Sequence, residues 1–185
     1  MKSERIVAQL IKSAREKGAN SAKLISARGI FVEEYVRLKC KYGCKEYAKR
    51  FTCPPYTPTI NETKELLKSY HRALLVEFIR LKIVEKQKNI RKIMYDLERE
   101  AFLSGLHMAF AYTAGPCKIC KRCPAEFTVN QNEFSKKNCK HPSKTRPSME
   151  ACGIDVFKTA RKAGFTINAV KEGESFKSFG LLLLD

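Results

Sequence analysis

Three equally spaced cysteines constrain the fold of this chain more than any other feature. Cys117, Cys120 and Cys123 form a C-x2-C-x2-C run that is flanked by prolines, and Cys139 follows further along the chain. Gaps of two residues leave little room for the geometry of a disulfide, so these thiols are better placed to converge on a metal. We refer to the four as the C-terminal cysteine group. They suit either an iron–sulfur cluster or an all-cysteine tetrahedral zinc site.

Three more cysteines lie earlier in the chain and form the N-terminal cysteine group. Cys40, Cys44 and Cys53 have the spacing C-x3-C-x8-C and need a fourth ligand. That ligand could be Cys152, a water or a substrate, although a lone cysteine such as Cys152 is often only a small buried hydrophobe. The three could instead form a zinc clip, or the two groups could share one site.

The spacing of the C-terminal cysteine group favours iron–sulfur over zinc. Bacterial ferredoxins use C-x2-C-x2-C for three ligands of a 4Fe–4S cluster, whereas zinc sites more often show two separated C-x2-C pairs. His141 could replace a thiol, but a histidine near a cluster more often lies outside the ligand set, and we leave it out. We therefore expect one or two 4Fe–4S clusters, with zinc as the alternative.

The composition indicates one cytoplasmic domain in which the cysteines are ligands. The chain has 185 residues, 44% of them hydrophobic, which is enough for one core and too few for two domains. It contains no apolar run long enough for a membrane helix, and its N-terminus does not resemble a signal peptide. In the reducing cytoplasm, eight cysteines are expected to bind metal before they form four disulfides.

The net charge of +17 is large and has more than one interpretation. Basic residues crowd both cysteine groups, where they would stabilise thiolates and the added negative charge of a reduced cluster. The same charge is compatible with plain solubility, with docking of an acidic redox partner protein, or with binding of nucleic acid. The charge alone does not choose between them.

The periodicity of apolar residues predicts an α/β or α+β fold in a single domain, with a small mixed sheet flanked by helices. Helices are predicted at residues 3–17, from the Thr59 capping box onward, at 85–104, and after Asp155 as N-cap. Strands are predicted at 22–26, near 30–32, and at 72–81, 106–112, 165–170 and 176–184. The cysteines are predicted in two loops, at about 39–58 and 115–147.

Three motifs together resemble a known family. They are K-C-x3-C-x2-Y-x5-C-P-P (39–55), G-P-C-x2-C-x2-C (115–123) and C-x-H-P-x3-R-P-S-M-E-A-x-G-I-D (139–155). The chain resembles the small cytoplasmic "predicted metal-binding proteins" of archaea and anaerobic bacteria. The resemblance implies that the seven cysteines of the two groups are the ligands, and it places Cys152 at an unspecified position of the last motif. It implies metal but no particular reaction.

These observations favour an iron–sulfur protein that acts in electron transfer or in a redox reaction with a partner. One alternative is a zinc-stapled basic module that binds nucleic acid. Another is an iron–sulfur enzyme that uses an open iron site at the N-terminal cysteine group. Common phosphate-binding, dinucleotide-binding and serine-hydrolase motifs do not occur in the sequence. Whether the protein is an enzyme is left open.

Overall fold

A four-stranded antiparallel sheet forms the centre of this computed structural model, which describes residues 2–81, 87–127, 138–171 and 173–185. The strands are β1 (Ser21–Ser26), β2 (Arg72–Leu81), β3 (Phe110–Tyr112) and β4 (Phe176–Leu184). Their order across the sheet is β1–β2–β4–β3. Strands β2 and β4, the two central ones, are predicted correctly from their runs of apolar residues.

The run of leucines at the end of β4 is apolar because both faces of the sheet are covered. Successive side chains of a strand point to opposite faces. Leu182 and Leu184 accordingly belong to a core on one side of the sheet, and Leu181 and Leu183 belong to a second core on the other. The chain is therefore built as helices on both faces of a buried sheet.

Five helices surround the sheet in the described part of the chain. They are α1 (Lys2–Glu16), α2 (Glu34–Gly43), α3 (Ile60–Lys68), α4 (Gln87–Leu103) and α5 (Val156–Lys162). Helices α1 and α4 supply the first core, and α3 and α5 contribute to the second. The fold is a single α+β domain, and none of the helices described is both long and apolar enough to cross a membrane.

Local sequence signals set the starts of two helices as predicted. The hydroxyl of Thr59 accepts a hydrogen bond from Glu62 N at 3.2 Å, and the Glu62 carboxylate accepts one from Thr59 N at 2.7 Å. Asp155 Oδ1 accepts from Lys158 N at 2.9 Å at the start of α5. These side chains satisfy backbone N–H groups that the first turn of a helix leaves unpaired.

The sheet is antiparallel where we expected a mixed one, and the connectivity explains the difference. The crossover through α4 does make β2 and β3 run in the same direction, because each is antiparallel to β4. The last strand, β4, lies between them, so that no two neighbouring strands are parallel. Sequence order alone does not reveal such an insertion.

Three predicted strands are shorter than expected or absent. Residues 106–109 form a turn instead of extending β3, with Ala109 N donating to Leu106 O at 3.0 Å. Residues 165–170 form no strand, although Phe165 and Ile167 are buried in the second core. Near residues 30–32 only Val32 makes a bridge, to Ile154. Apolar side chains in these segments fill the core without a strand partner.

The N-terminal cysteine group is also not confined to a loop. Cys40 lies in the last turns of α2, and Cys44 caps its C-terminus. No proline or glycine interrupts residues 34–42, so the helix continues to Gly43. The helix packs against a short 3-10 helix at Glu150–Cys152, which brings the third sequence motif next to the first.

We expect Gly153→Ala to be unusually destabilising. Gly153 ends the Glu150–Cys152 helix with φ of 78°, and an added Cβ would lie 2.1 Å from Ile60 Cδ1. The left-handed conformation and the overpacking together should lower the free energy of unfolding by about 3 kcal/mol in chemical denaturation. Gly105→Ala is the matched control, because Gly105 has φ of 102° with no atom within 4 Å. Equal losses in the two variants would contradict this account.

Candidate metal centre

All four thiols of the C-terminal cysteine group line one small cavity. The cavity lies next to Thr52 and His141 and measures about 10 Å³, close to the space that one water molecule needs. The sequence-predicted ligands Cys117, Cys120, Cys123 and Cys139 are thus brought together in space. Within the described ranges, however, no three His, Cys, Asp or Glu side chains converge closely enough to hold a single ion. The thiols surround a cavity and do not meet at one point.

The turn that enters this group is fastened by a buried arginine. Arg91 projects from α4, and its Nη1 donates to the carbonyl oxygens of Ala114 at 3.2 Å and Pro116 at 2.8 Å. Burial lowers the pKa of Arg91, and a thiolate at Cys117 opposes that effect. Its Nη2 has no hydrogen-bond partner among the described residues. An arginine thus supplies both the anchor and a positive charge beside the thiols.

Among the four thiols of the C-terminal cysteine group, Cys117 has hydrogen bonds and a nearby cation that hold it in place and favour its thiolate. Its backbone N–H donates to the hydroxyl of Thr52 at 3.3 Å, which ties the two cysteine segments to each other. Burial raises the pKa of Cys117, while a hydrogen bond from the Ile119 N–H and the charge of Arg91 act in the opposite direction. An N–H donor and a cation both favour the thiolate, which is the form that binds metal.

The N-terminal cysteine group shows three degrees of exposure. Cys44 is exposed, Cys40 is partly buried, and Cys53 is buried immediately before Pro54 and Pro55. Burial, followed by the charges of the thiolates at Cys44 and Cys40, raises the pKa of Cys53 to about 12. Cys117 also contributes to that shift. Cys53 therefore lies within electrostatic reach of both groups.

Cys40 and Cys44 also line a pocket of about 350 Å³. Its polar lining includes Tyr35, Glu150 and Asp155, and part of its apolar lining comes from residues near the start of β4. The thiol of Cys40 donates weakly to the carbonyl oxygen of Glu150 at 3.8 Å. Two of the three thiols of the N-terminal cysteine group are thus open to a pocket of small-molecule size.

Cys152 occupies a different environment from the other seven cysteines. It is 0% exposed and packs in the second core with residues such as Met149 and Ile154. Burial raises its pKa to about 12. Its surroundings are those of a small buried hydrophobe, although Cys40 is close enough to influence its charge.

Sequence reasoning missed Arg91 and Glu150. Arg91 follows Ile90 at the edge of the apolar face of α4, and a basic residue there could have been recognised as facing inward. Glu150 stands inside the third motif with no periodic signal around it. Only the packing of α2 against residues 150–152 places it beside Cys40.

We expect the cysteines of the metal-free protein to react with iodoacetamide in the order of their exposure. At about pH 8, Cys44 should be alkylated first and Cys152 last, because burial hides the Cys152 thiol and keeps it protonated. Peptide mass spectrometry over time measures the order. In denaturant, where the thiol pKa returns to about 9.0, the difference should disappear. Equal rates in the native protein would contradict the burial of Cys152.

Comparison with known proteins adds a family to this geometry. Searches of curated proteins and of solved structures found no match. Residues 23–184, a span that includes both cysteine groups, match the family described as Predicted metal-binding protein (DUF2284). The resemblance seen in the three sequence motifs is thereby confirmed. The chain belongs to this predicted metal-binding family.

Proposed function

We propose that the chain is an iron–sulfur protein whose C-terminal cysteine group holds a 4Fe–4S cluster and exchanges electrons with a partner. The observation that carries the proposal is that Cys117, Cys120, Cys123 and Cys139 line one cavity. The cluster would supply reversible one-electron chemistry. The protein's part is to hold the thiols, exclude water and set the local charge.

Two contacts support iron–sulfur chemistry at this group. The Ile119 N–H donates to the Cys117 thiolate, and the buried guanidinium of Arg91 lies close enough to influence it. Hydrogen bonds to the sulfurs and nearby positive charge both stabilise the extra negative charge of a reduced cluster and so raise its reduction potential. The ferredoxin-like spacing of the run points in the same direction.

Zinc is the second candidate, because the cavity of about 10 Å³ is smaller than a 4Fe–4S cluster. The described thiols do not converge closely enough for a single ion either, so zinc would require them to move together. A 4Fe–4S cluster would require the thiols to move apart, which three cysteines on an irregular segment with partial exposure permit. Metal analysis separates the two candidates directly.

A redox enzyme is a further candidate, and the pocket beside the N-terminal cysteine group supports it. A centre held there by three thiolates would have one position available for substrate. Cys40 and Cys44 line the pocket of about 350 Å³. Cys53 lies close enough to Cys117 for a negative charge there to raise its pKa. In this arrangement the C-terminal cysteine group would exchange electrons with a partner, and the N-terminal group would face the substrate.

The charge around the cysteines fits an acidic redox partner protein. Exposed basic side chains flank both groups, namely Lys39, Lys41, Lys45, Lys49, Lys121, Arg122 and Lys140. Exposed apolar side chains lie among them, including Tyr42, Ile119 and Phe127. A basic rim with an apolar contact surface is suited to docking an acidic protein by electrostatic steering.

Purification without oxygen should yield brown protein with about four irons and four acid-labile sulfides per cluster. Cys120→Ser should lose the iron and sulfide of one cluster, because it removes a thiol from the cavity of the C-terminal cysteine group. Cys152→Ala is the matched control and should keep its iron, since Cys152 lies in the core. Elemental analysis, sulfide assay and the visible spectrum provide the measurement. Colourless protein containing only zinc would refute the iron–sulfur proposal.

Reduction by an acidic ferredoxin should depend on the basic rim. With that protein as electron donor in stopped flow, the double variant Lys121→Glu/Arg122→Glu should be reduced on the order of tenfold more slowly at low salt. Lys12→Glu on α1, a helix without cysteines, is the control and should change little. No difference between the variants would remove this surface as the docking site. Retention of duplex DNA at physiological salt would instead support the nucleic-acid alternative.

A further inference from the structure

We propose that the carboxylate of Glu150 is the fourth protein ligand of a metal centre at the N-terminal cysteine group. The inference rests on the proposed function, because it requires metal at Cys40, Cys44 and Cys53. It goes further by assigning a ligand that is not a cysteine. A carboxylate in this place would make one of the four ligand positions chemically different from the three that thiolates occupy.

The first observation is a buried carboxylate oxygen without a partner. Glu150 Oε2 is shielded from solvent and makes no hydrogen bond to any described residue, although the residue as a whole is only partly buried. The remaining hydrogen bonds of the carboxylate come from Ser148 and from the Glu150 backbone. An oxygen that is removed from water and left unpaired is costly, so a site of this kind needs an explanation.

No positive charge among the described residues compensates Glu150. Glu150 forms no ion pair with a described basic residue, and its Oε2 accepts no hydrogen bond from one. Arg37, which influences the charges of Cys40 and Cys152, donates instead to Thr57 Oγ1 at 2.8 Å and to the carbonyl oxygen of Ala151. The chain has 36 lysine and arginine residues, so a buried carboxylate that pairs with none of the described ones is unexpected.

The second observation is that two of the three thiols share a pocket with Glu150. Cys40, Cys44 and Glu150 line the same pocket, and the Cys40 thiol contacts the Glu150 carbonyl at 3.8 Å. These groups repel one another when ionised, and a metal cation is the partner that removes the repulsion from all of them.

The alternatives for the fourth ligand fit less well. Cys152 is fully buried and packs among the apolar side chains of the second core. An organic ligand in the pocket would not reach Oε2, because that atom is closed even to water. The described thiols and the Glu150 carboxylate do not converge closely enough to hold an ion as they stand, so a metal would have to draw these side chains together.

The chemistry of a carboxylate suits a position that must exchange. Carboxylates bind iron through a harder donor atom than thiolates do, and they are displaced more readily from iron–sulfur centres. A substrate entering the pocket of about 350 Å³ could then replace Glu150 at the metal while the three thiolates keep their places. Glu150 would thereby reserve the substrate's position.

The test compares the metal content and spectra of four variants purified without oxygen. Cys44→Ser reports whether the N-terminal cysteine group holds metal. Glu150→Gln removes the anionic ligand, and Glu150→Cys supplies a thiolate in its place. Glu46→Gln is the matched control. Glu46 is a second carboxylate near the N-terminal cysteine group, between Cys44 and Cys53, but it is paired with Arg50 at 2.8 Å.

If Glu150 is a ligand, Glu150→Gln should release metal to a chelator at least about tenfold faster than the unaltered protein. Glu150→Cys should retain the metal with a changed charge-transfer absorption and a changed electron paramagnetic resonance spectrum. Glu46→Gln should behave like the unaltered protein.

Two results would overturn the inference, and they differ in what else they remove. If Cys44→Ser loses metal but both Glu150 variants match the unaltered protein in release rate and spectrum, Glu150 is not a ligand and the proposed function stands. If Cys44→Ser also leaves metal content and spectrum unchanged, the N-terminal cysteine group holds no metal. That result would refute both the redox-enzyme candidate and the assignment of Glu150 as a ligand. Should Glu150→Gln fail to fold, the spectrum of Glu150→Cys decides the matter alone.

Discussion

The close approach of seven thiols in two groups is the constraint on which the candidate metal centres depend. Seven cysteines lie in two neighbouring groups, and burial together with nearby thiolates raises the pKa of Cys53 to about 12. Ionising such thiols together without a cation is unfavourable, since each negative charge opposes the next. Metal binding would convert this repulsion into a source of stability, because only the deprotonated thiols bind metal and only the folded chain assembles them.

The sheet and its helices hold the cysteine segments in place through a small number of polar anchors. Arg91 on α4 fixes the turn before Cys117, and Thr52 links that turn to the segment containing Cys53. On the other side, Arg37 joins α2 to Thr57 and to Ala151. The cysteines lie on irregular segments and at a helix end, while buried β2 and β4 supply the rigidity. This division of roles leaves the thiols free to adjust to a metal.

The sequence was most informative where one physical cause acts locally. The capping box at Thr59, the N-cap at Asp155 and the doubly buried strand at Leu181–Leu184 each follow from neighbouring residues, and all three are present. The insertion of β4 between β2 and β3 depends on the whole chain, so the mixed sheet expected from sequence order was wrong. The cysteine spacing likewise predicted that the thiols of the C-terminal cysteine group would lie close together, and these residues line one cavity. The cysteine spacing did not predict that Arg91 and Glu150 lie beside the cysteines, because their positions depend on contacts between distant segments.

The most direct test of this account is an anomalous difference map recorded at the iron absorption edge from crystals grown without oxygen. The account predicts one maximum enclosed by Cys117, Cys120, Cys123 and Cys139. It predicts a second maximum beside Cys40, Cys44 and Cys53, near the pocket that Cys40 and Cys44 share with Glu150. Iron located away from both cysteine groups, or a strong signal at the zinc edge and none at the iron edge, would contradict it.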